Sequence, residues 1–453
     1  MLKPLHASVL GLGLSCLLAG PAMAENVPDM GKFAKVSAVV GEKCMACHTK
    51  GLDLPFYAKV PGIREIIEKD YRDGFRAMDL NTELFKERTT PVGETVLAKM
   101  EWVVLNDSMP PAKFAMVHWG SRLSEKDKKN ILDWVKTSRK AHYATDAAPK
   151  HANEPLQPIP MSIKTDARKV ALGDKLFNDK RLSTDSSLAC AGCHAPDKAG
   201  TDNLRFSEGV RKQIGGVNAP TTFNAVFNVD QFWDGRAADL QEQAGGPPLN
   251  PIEMGSKDWK EIIERLSQDE ALTAEIKAIY PDGWTDKNIT NAIAEYEKTL
   301  ITPNGKFDKW LRGDDKALSA SEVEGYKNFK KYRCSSCHVG KSVGGQSYEF
   351  LDLKKDYFAD RKGEALDSDK GRAAFTKNSD DLHRFKVPNL RNIELTAPYM
   401  HDGTVTTLDE AVRIMGVYCS GLDVPSADRK TIVDFLRTLT GQHKKLSGKA
   451  VSM

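Results

Sequence analysis

A five-residue pattern, Cys-x-x-Cys-His, constrains this chain more than any other feature, because it occurs three times. The copies are Cys44, Cys47 and His48; Cys190, Cys193 and His194; and Cys334, Cys337 and His338. Two thiols three positions apart can bond to the two vinyl groups of one porphyrin while the next residue, an imidazole, binds its iron. The pattern predicts three covalently attached c-type haems, and therefore a protein that handles electrons.

Other uses of paired cysteines fit less well. A structural zinc site usually brings two such pairs close together in the sequence, whereas these pairs are spread over most of the chain. A redox-active dithiol has no need of the His that follows each pair. Cys419 lies outside the motifs and has no partner for a disulfide once the N-terminal Cys16 is removed, so we expect it to be a small, buried apolar residue.

Residues 1–24 have the features of a secretory signal peptide. Lys3 precedes an apolar run at 8–20, and Ala22-Met23-Ala24 matches a small-x-small cleavage site. The run is shorter than the roughly 20 apolar residues of a membrane-spanning helix, so cleavage is predicted, with an uncleaved anchor as the alternative. Because bacteria attach c-type haem after export, the expected location is the periplasm, with membrane association possible if the segment is retained.

The 453 residues are enough for several domains, and these should follow the haem motifs. The sequence Gly173 to Phe177 precedes the second motif much as Gly325 to Phe329 precedes the third, which indicates an internal repeat. We expect a mainly α fold, with three cytochrome c-like haem domains in tandem and long loops. The predicted units are 25–145, a proline-rich linker at 146–165, 166–312 and 313–445.

Hydrophobic periodicity and capping signals support the helical interpretation. Ser319 and Glu322 form a capping-box pattern ahead of the third motif. Further amphipathic helices are predicted at 257–279, 289–300, 408–415 and 429–439. The formal net charge is only +3, so nothing in the composition favours nucleic acid as a partner.

The first haem needs a second axial ligand if it is to carry electrons. Met109, followed by two prolines that stiffen its loop, is the best candidate, because His/Met ligation is typical of electron-transfer cytochromes. The alternatives left open by the sequence are Met100, Met116 and His118.

The second and third units resemble the bacterial di-haem cytochrome c peroxidases, and the first resembles a c-type haem domain found fused to other cytochromes. Together they look like the trihaem, quinol-oxidising branch of that family. The stretches that carry the peroxidase resemblance are Gly216-Val-Asn218-Ala-Pro-Thr, Gln231-Phe-Trp233-Asp-Gly-Arg236, Gln243-Ala-Gly-Gly-Pro, Asn250-Pro-Ile-Glu253-Met254 and Leu395-Thr396-Ala-Pro398-Tyr-Met-His401-Asp-Gly.

The resemblance implies a role for each matching residue. His194 would bind the iron of the peroxidatic haem, Glu253 and Gln243 would line its distal pocket, and Trp233 would relay electrons between two haems. A carboxylate suits this place, because cleavage of bound peroxide needs a base that takes a proton from one oxygen and returns it to the other. Outside this family Glu253 could be a helix-start carboxylate, Gln243 a solvated helix residue, and Trp233 a large apolar filler.

The same resemblance favours Met415 over Met400 as the second ligand of the electron-transfer haem, whose first ligand would be His338. It also implies a calcium ion between the two haem domains, bound by hard oxygen donors of the kind this cation prefers. The positions that match its ligands are Asn218, Thr396 and Pro398.

One departure from the family changes the expected resting state. Many of its members place an inhibitory His in the loop where this chain has Val210, and valine cannot bind iron. We therefore expect an open peroxidatic iron that reduces hydrogen peroxide to water without prior reduction. The donor would be quinol, a small cytochrome c or a cupredoxin; a trihaem electron carrier without peroxidase activity, and a cofactor-maturing haem oxygenase, are the alternatives.

Overall fold

The computed structural model describes residues 30–51, 57, 60, 62–85, 90–361, 363 and 365–446, so the predicted signal peptide lies outside the described residues. Within them the chain is mainly helical, and the β structure is a short antiparallel pair, β1 (Tyr348–Phe350) with β2 (Arg384–Lys386). None of the described helices is long and apolar enough to cross a membrane.

The first unit is a cluster of helices around an apolar core. Its helices are α1 (Met30–Lys43), α2 (Ile63–Ala77), α3 (Glu94–Leu105), α4 (Ala112–Val117) and α5 (Glu125–His142). Helix α5 starts at a capping box in which Ser124 accepts a hydrogen bond from Asp127 N while the Asp127 carboxylate accepts one from Ser124 N. It packs on α1 and α3, and Val36, Leu97 and Trp134 are buried between them.

The second and third units repeat one helix crossing. The helices of the second are α6 (Ala167–Phe177), α7 (Cys190–Cys193), α8 (Leu240–Gly245), α9 (Trp259–Leu266), α10 (Glu270–Ile279) and α11 (Asp286–Glu297). Those of the third are α12 (Lys306–Leu311), α13 (Ala320–Lys331), α14 (Tyr357–Asp360), α15 (Ala373–Thr376), α16 (Leu408–Ile414) and α17 (Ser426–Arg437). Helix α12 lies before the predicted boundary at 312, but its Phe307 and Leu311 are buried in the core of the third unit. In each unit the helix before the haem motif packs on the last helix: α6 on α11, and α13 on α17.

A glycine lies at each crossing. A Cβ atom on Gly173 would come within 1.9 Å of the Ala292 carbonyl oxygen, and one on Gly325 would come equally close to the Thr431 carbonyl oxygen. Only a residue without a side chain lets the two backbones approach this closely. The repeat seen in the sequence is therefore one packing arrangement used twice.

Aromatic residues one helical turn later complete each crossing. The rings of Phe177 and Tyr296 lie 5.2 Å apart in the second unit, and those of Phe329 and Phe435 lie 5.3 Å apart in the third. All four side chains are buried, so each pair contributes to the apolar core of its own unit.

The single helix predicted at 257–279 is wrong, because the structure divides it into α9 and α10. The Asp269 side chain accepts a hydrogen bond from Leu272 N at 2.9 Å and so caps a new helix within the predicted one. Asp is a strong N-cap residue, and here this local bond outweighs the amphipathic periodicity that runs across it. The other three predicted helices correspond to α11, α16 and α17 with shifted ends.

The proline-rich stretch at 146–165 packs against the third unit. Ala148 N donates to Leu311 O at 2.8 Å, and Pro155 O accepts from Gly340 N at 2.9 Å. Leu156 and Ile159 are fully buried. The connection between the first two units is therefore held to the third over part of its length.

Candidate active site

The three motif histidines share one arrangement. In each, Nδ1 is hydrogen-bonded to a backbone carbonyl: His48 to Met78 O at 3.0 Å, His194 to Gly200 O at 3.3 Å, and His338 to Val343 O at 3.2 Å. A bond of this kind fixes the ring orientation and tautomer and leaves Nε2 as the metal-binding atom. Burial also lowers the pKa of each ring, that of His338 to about 4, so each imidazole is neutral, as an iron ligand must be.

A large, mainly apolar cavity in the third unit fits a haem. Its lining includes Cys334, Cys337 and His338 of the motif, and also Met400 and Met415. Thiols, an imidazole and thioethers around an apolar space are the groups needed to attach a porphyrin and bind its iron on two faces. Phe385 and other apolar side chains supply more of the wall.

Both candidate thioethers of the third unit line this cavity. Met415 lies where α16 ends and a π-helical turn, Met415–Ser420, begins. Such turns often occur at functional sites, because the inserted residue redirects a side chain. The Cys419 thiol lies 3.3 Å from the Leu351 carbonyl oxygen and 3.8 Å from the Met415 sulfur, so this cysteine is part of the cavity wall.

In the second unit, Glu253 is a half-buried carboxylate. Asn250 Nδ2 donates to its Oε1 at 2.8 Å. Burial raises the pKa of Glu253, although the Arg236 cation and the bond from Asn250 oppose that change. Burial raises the pKa of the Cys193 thiol, and the charge of Glu253 adds to this effect. A carboxyl group with a raised pKa is suited to exchange protons near neutral pH.

The Val210 loop is fixed to the turn that carries Glu253. Val210 N donates to Glu253 O at 2.8 Å, and Gln213 Nε2 donates to Pro251 O at 2.9 Å. A Cβ on Gly209 would lie 2.0 Å from Ile252 O, so the two backbones are in close contact. Val210 itself is buried and offers no atom that could bind iron.

Gln243 is joined to the turn that carries Glu253 by a short series of backbone hydrogen bonds. It lies in α8, and Gly246 N donates to its carbonyl oxygen at 3.1 Å. Asn250 N in turn donates to Gly246 O at 3.1 Å, and Glu253 N to Asn250 O at 3.0 Å. These backbone bonds join Gln243 and Glu253 in one compact segment.

Trp233 links the second and third units. Its indole Nε1 donates to Asn218 O at 2.9 Å, and Asn218 N donates to His401 O at 2.8 Å. The Trp233 ring lies edge-on to those of Phe385 and His401, with centroids 6.4 and 6.5 Å away, and it lines the cavity of the third unit. A filler role alone does not account for this position between two haem motifs.

The sequence analysis missed a buried ion network beneath His401. His401 Nε2 is 2.8 Å from Asp369 Oδ1, and Arg361 pairs with Asp369 at 2.6 Å and with Asp402 at 2.7 Å. The Arg361 guanidinium and the bond from His401 hold the pKa of Asp369 at about 2, against the opposing effect of burial. Only the His-Asp-Gly segment signalled this site, since its other residues are distant in sequence.

The candidate calcium ligands Asn218, Thr396 and Pro398 line one cavity. Asn218 Nδ2 donates to Leu204 O at 2.8 Å, which turns the amide oxygen away from that carbonyl. The described residues contain no group of three or more His, Cys, Asp or Glu side chains that could hold a metal ion. A cation here would therefore depend on amide, hydroxyl and carbonyl oxygens, which calcium accepts.

In the first unit, the structure places the alternatives to Met109 in other roles. Met100 is buried in the apolar core, and Met116 is 73% exposed. His118 has both ring nitrogens engaged, Nε2 with the Tyr57 hydroxyl at 2.7 Å and Nδ1 with Phe114 O at 3.1 Å. These contacts argue against His118 and Met100, and Met109 stays the predicted ligand.

A second buried carboxylate, Glu297, was also missed. It follows Tyr296 in α11 as Leu436 follows Phe435 in α17, so the repeat makes Glu297 and Leu436 equivalent. Burial raises the Glu297 pKa to about 8, and its Oε2 has no hydrogen-bond partner. The second unit thus has a carboxyl group where the third has an apolar wall residue.

Comparison with known proteins identifies relatives of this chain. Residues 167–316 match the family described as di-haem cytochrome c peroxidase, and residues 21–137 match a haem-binding domain. Cytochrome c peroxidase Ccp of Escherichia coli K12 is 48% identical over 90% of this chain and 88% of its own length. Cytochrome c551 peroxidase of Nitrosomonas europaea is 45% identical over 64% of this chain and 85% of its own.

Solved structures show the same fold for the second and third units. A crystal structure of a MauG-like protein associated with microbial copper homeostasis is similar with a TM-score of 0.57 and 26% identity. The match covers 67% of this chain and 97% of that protein.

Proposed function

Because this chain belongs to the di-haem cytochrome c peroxidase family and is a peroxidase, we propose that it carries three c-type haems in the periplasm and reduces hydrogen peroxide to water. Its electrons would come from quinol or from a small redox protein such as a cytochrome c or a cupredoxin. The observation that carries the proposal is the contrast between the surroundings of two motifs. Met415 and His338 line one cavity in the third unit, whereas in the second unit the backbone of Val210 is bonded to that of Glu253.

The iron of the second haem supplies a site for peroxide and a source of electrons when it is bound. Cys190 and Cys193 would hold that haem, and His194 Nε2 would bind the iron from one face. Val210 offers no atom that could bind iron, so the loop would leave the site accessible to peroxide. The backbone bond between Val210 N and Glu253 O keeps this loop and the carboxylate together.

Glu253 would accept the proton from one peroxide oxygen and return it to the other, so that the oxygen that leaves does so as water. Burial assists this exchange, because it raises the carboxyl pKa toward the working pH. Asn250 fixes one carboxylate oxygen by its 2.8 Å bond, and Gln243 would position the peroxide. Two electrons and two further protons complete the reduction to two water molecules.

Electrons would enter at the first haem, held by Cys44 and Cys47 and bound by His48 and Met109. They would pass to the third haem, held by Cys334 and Cys337 and bound by His338 and Met415, and then to the second. Trp233 supports this order, since it lines the third cavity and donates to a carbonyl of the second unit. A calcium ion bound by Asn218, Thr396 and Pro398 would hold the second and third units together.

The first experiment mixes the oxidised protein, never previously reduced, with a water-soluble quinol and hydrogen peroxide. Immediate peroxide loss, together with a high-spin signal from one haem, is the expected result. Reduced cytochrome c serves as a parallel donor and distinguishes quinol from protein donors. Haem reduction without peroxide loss would instead identify an electron carrier, and three low-spin haems with two protein ligands each would reject the open site.

A further inference from the structure

Lys99 is a buried cation at the boundary between the first and third units. Its side chain is 8% exposed. The ammonium donates to Ala77 O at 2.8 Å and pairs with Glu349 Oε1 at 2.7 Å. Lys99 belongs to α3 of the first unit, yet it also lines the cavity of the third. One charge therefore belongs to the surroundings of two haem sites.

Glu349 is the partner on the other side of the boundary. It lies in β1, where it pairs with Phe385 of β2, and its side chain is 14% exposed. Ser347 Oγ donates to the same carboxylate oxygen at 3.1 Å. Glu349 also lines the third cavity, and its charge is felt at both the Cys337 thiol and the His338 ring.

A continuous set of contacts joins the pair to the first haem motif. His48 Nδ1 is bonded to Met78 O, and the preceding carbonyl, that of Ala77, accepts from Lys99. The Lys99 charge acts on the His48 ring as well as on Cys337. The contacts therefore lead from His48 through the backbone of residues 77–78 and Lys99 to Glu349, which lines the third cavity.

Other contacts fix this boundary, so the pair is not needed merely to hold the units together. Arg76 pairs with Asp352 at 2.5 Å, and Trp102 Nε1 donates to Lys330 O at 3.0 Å. Lys50 pairs with Asp380 at the exposed edge. A buried ion pair adds little net stability, because desolvation of the two charges offsets their attraction. Its position between two haem sites therefore indicates an electrostatic role.

We propose that the Lys99–Glu349 pair sets the relative reduction potentials of the first and third haems and so sets how one electron is distributed between them. The inference rests on the proposed function, in which electrons pass between these haems. A nearby cation favours the reduced, less positive haem and raises its potential, and a nearby carboxylate does the opposite. Lys99 acts on both haems, whereas Glu349 acts chiefly on the third.

Redox titration of each haem in the holoprotein tests this assignment. Glu349→Gln should raise the potential of the third haem and leave that of the first nearly unchanged. Lys99→Met should lower both. A tenfold change in the distribution of one electron between the two haems, equivalent to about 59 mV, is the expected scale. A general loosening of the boundary would not shift the third-haem potential in opposite directions in Glu349→Gln and Lys99→Met.

Three further variants keep the test decisive. Lys99→Arg retains the charge and should keep potentials close to those of the unchanged protein, which matters if Lys99→Met folds poorly. The double change of Lys99→Met with Glu349→Gln should bring the third-haem potential back toward its original value. Lys50→Met removes an exposed cation from the same boundary and should move neither potential.

Unchanged potentials in Glu349→Gln, or shifts of the same sign in Glu349→Gln and Lys99→Met, would overturn the inference. Peroxide turnover with ascorbate as donor is measured separately on the same samples. If the unchanged protein fails to consume peroxide, the proposed function fails, whatever the potentials show. If it turns over and the potentials do not move as expected, only the role of the pair is rejected.

Discussion

The second and third units have the same helix crossing but different pockets. Gly173 and Gly325 meet the opposing backbone at equal distances, so the scaffold that holds each haem motif is the same. Around the motif the two differ: Met415 and Met400 face the third cavity, whereas the second unit has Glu253 and the Val210 loop. If the proposed function holds, one cytochrome scaffold serves electron transfer in the third unit and catalysis in the second, and the side chains around each motif make the difference.

The difference extends to the last helix of each unit. Glu297 in the second is equivalent to Leu436 in the third, which lines the haem cavity. Exchange of an apolar wall residue for a carboxyl group makes the second pocket sensitive to pH, since burial raises the Glu297 pKa to about 8. The third pocket has no carboxyl group at this position.

The largest expected effect is that of Glu253→Gln, which removes the proposed base but keeps the shape. Peroxide turnover should fall by about 10²–10⁴-fold, the usual contribution of general acid–base catalysis. In the unchanged protein the rate should fall as pH is lowered through the Glu253 pKa, which lies above the ordinary 4.5, because a protonated carboxyl group cannot accept a proton. Steady-state rates across pH measure both effects.

The control is Glu264→Gln, which alters an exposed glutamate of α9. It should leave turnover and its pH profile unchanged. If Glu253→Gln behaves like this control, the carboxylate does not take part in the reaction. The second and third units would then differ in function only through the ligands of their haem irons.

The next effect is expected from Met415→Leu, which should convert the third haem from six-coordinate, low-spin to five-coordinate, high-spin. Its potential should fall, because an axial thioether raises the potential of an electron-transfer haem. Visible spectra of the oxidised protein report the change. Met400→Leu is the matched variant, since Met400 lines the same cavity, and it should leave the spectrum as it is. The opposite result in the two variants would make Met400 the ligand.

Alanine at the crossing glycines tests whether the two scaffolds are equivalent. Gly173→Ala and Gly325→Ala should each destabilise their own unit by about 1–3 kcal/mol or more, because the added methyl meets a backbone oxygen. Denaturant unfolding followed at the absorbance of each haem separates the units. Gly41→Ala, in α1, has nothing within 4 Å of its added Cβ and should stabilise the first unit slightly. An equal loss of stability in Gly173→Ala, Gly325→Ala and Gly41→Ala would show that close packing at the helix crossings is not its cause.

The smallest effect is expected from Glu297→Leu, which gives the second unit the residue of the third. Between pH 4.5 and 8 the unfolded state ionises at this position while the folded state stays protonated, so the unchanged protein loses stability as pH rises through this range. The variant removes that loss, so its melting temperature should exceed that of the unchanged protein at pH 8. At pH 4.5 the two should be nearly equal.

The reciprocal variant, Leu436→Glu, should lose stability as pH rises from 4.5 to 8. A gain that does not depend on pH in Glu297→Leu would show that the Glu297 pKa is the same in the folded and the unfolded protein, and would contradict this prediction.

Local chemistry made much of this protein predictable. The haem motifs, the Gly173 and Gly325 repeat and the capping box at Ser319 depend on residues a few positions apart, and the structure shows the helices that they imply. The helix predicted at 257–279 was wrong for a related reason. Periodicity suggested one helix, but the Asp269 side chain starts a second by capping its first turn.

The sequence by itself predicted three haem attachment sites and determined a mainly helical fold and the family resemblance, because these depend on residue type and short spacing. Tertiary structure decided what faces each site. The Lys99–Glu349 pair and the His401 network join residues that are far apart in the chain, and Glu297 became notable only when burial left its carboxyl group without a partner. Burial and electrostatic interaction act through space, so no local pattern announces them.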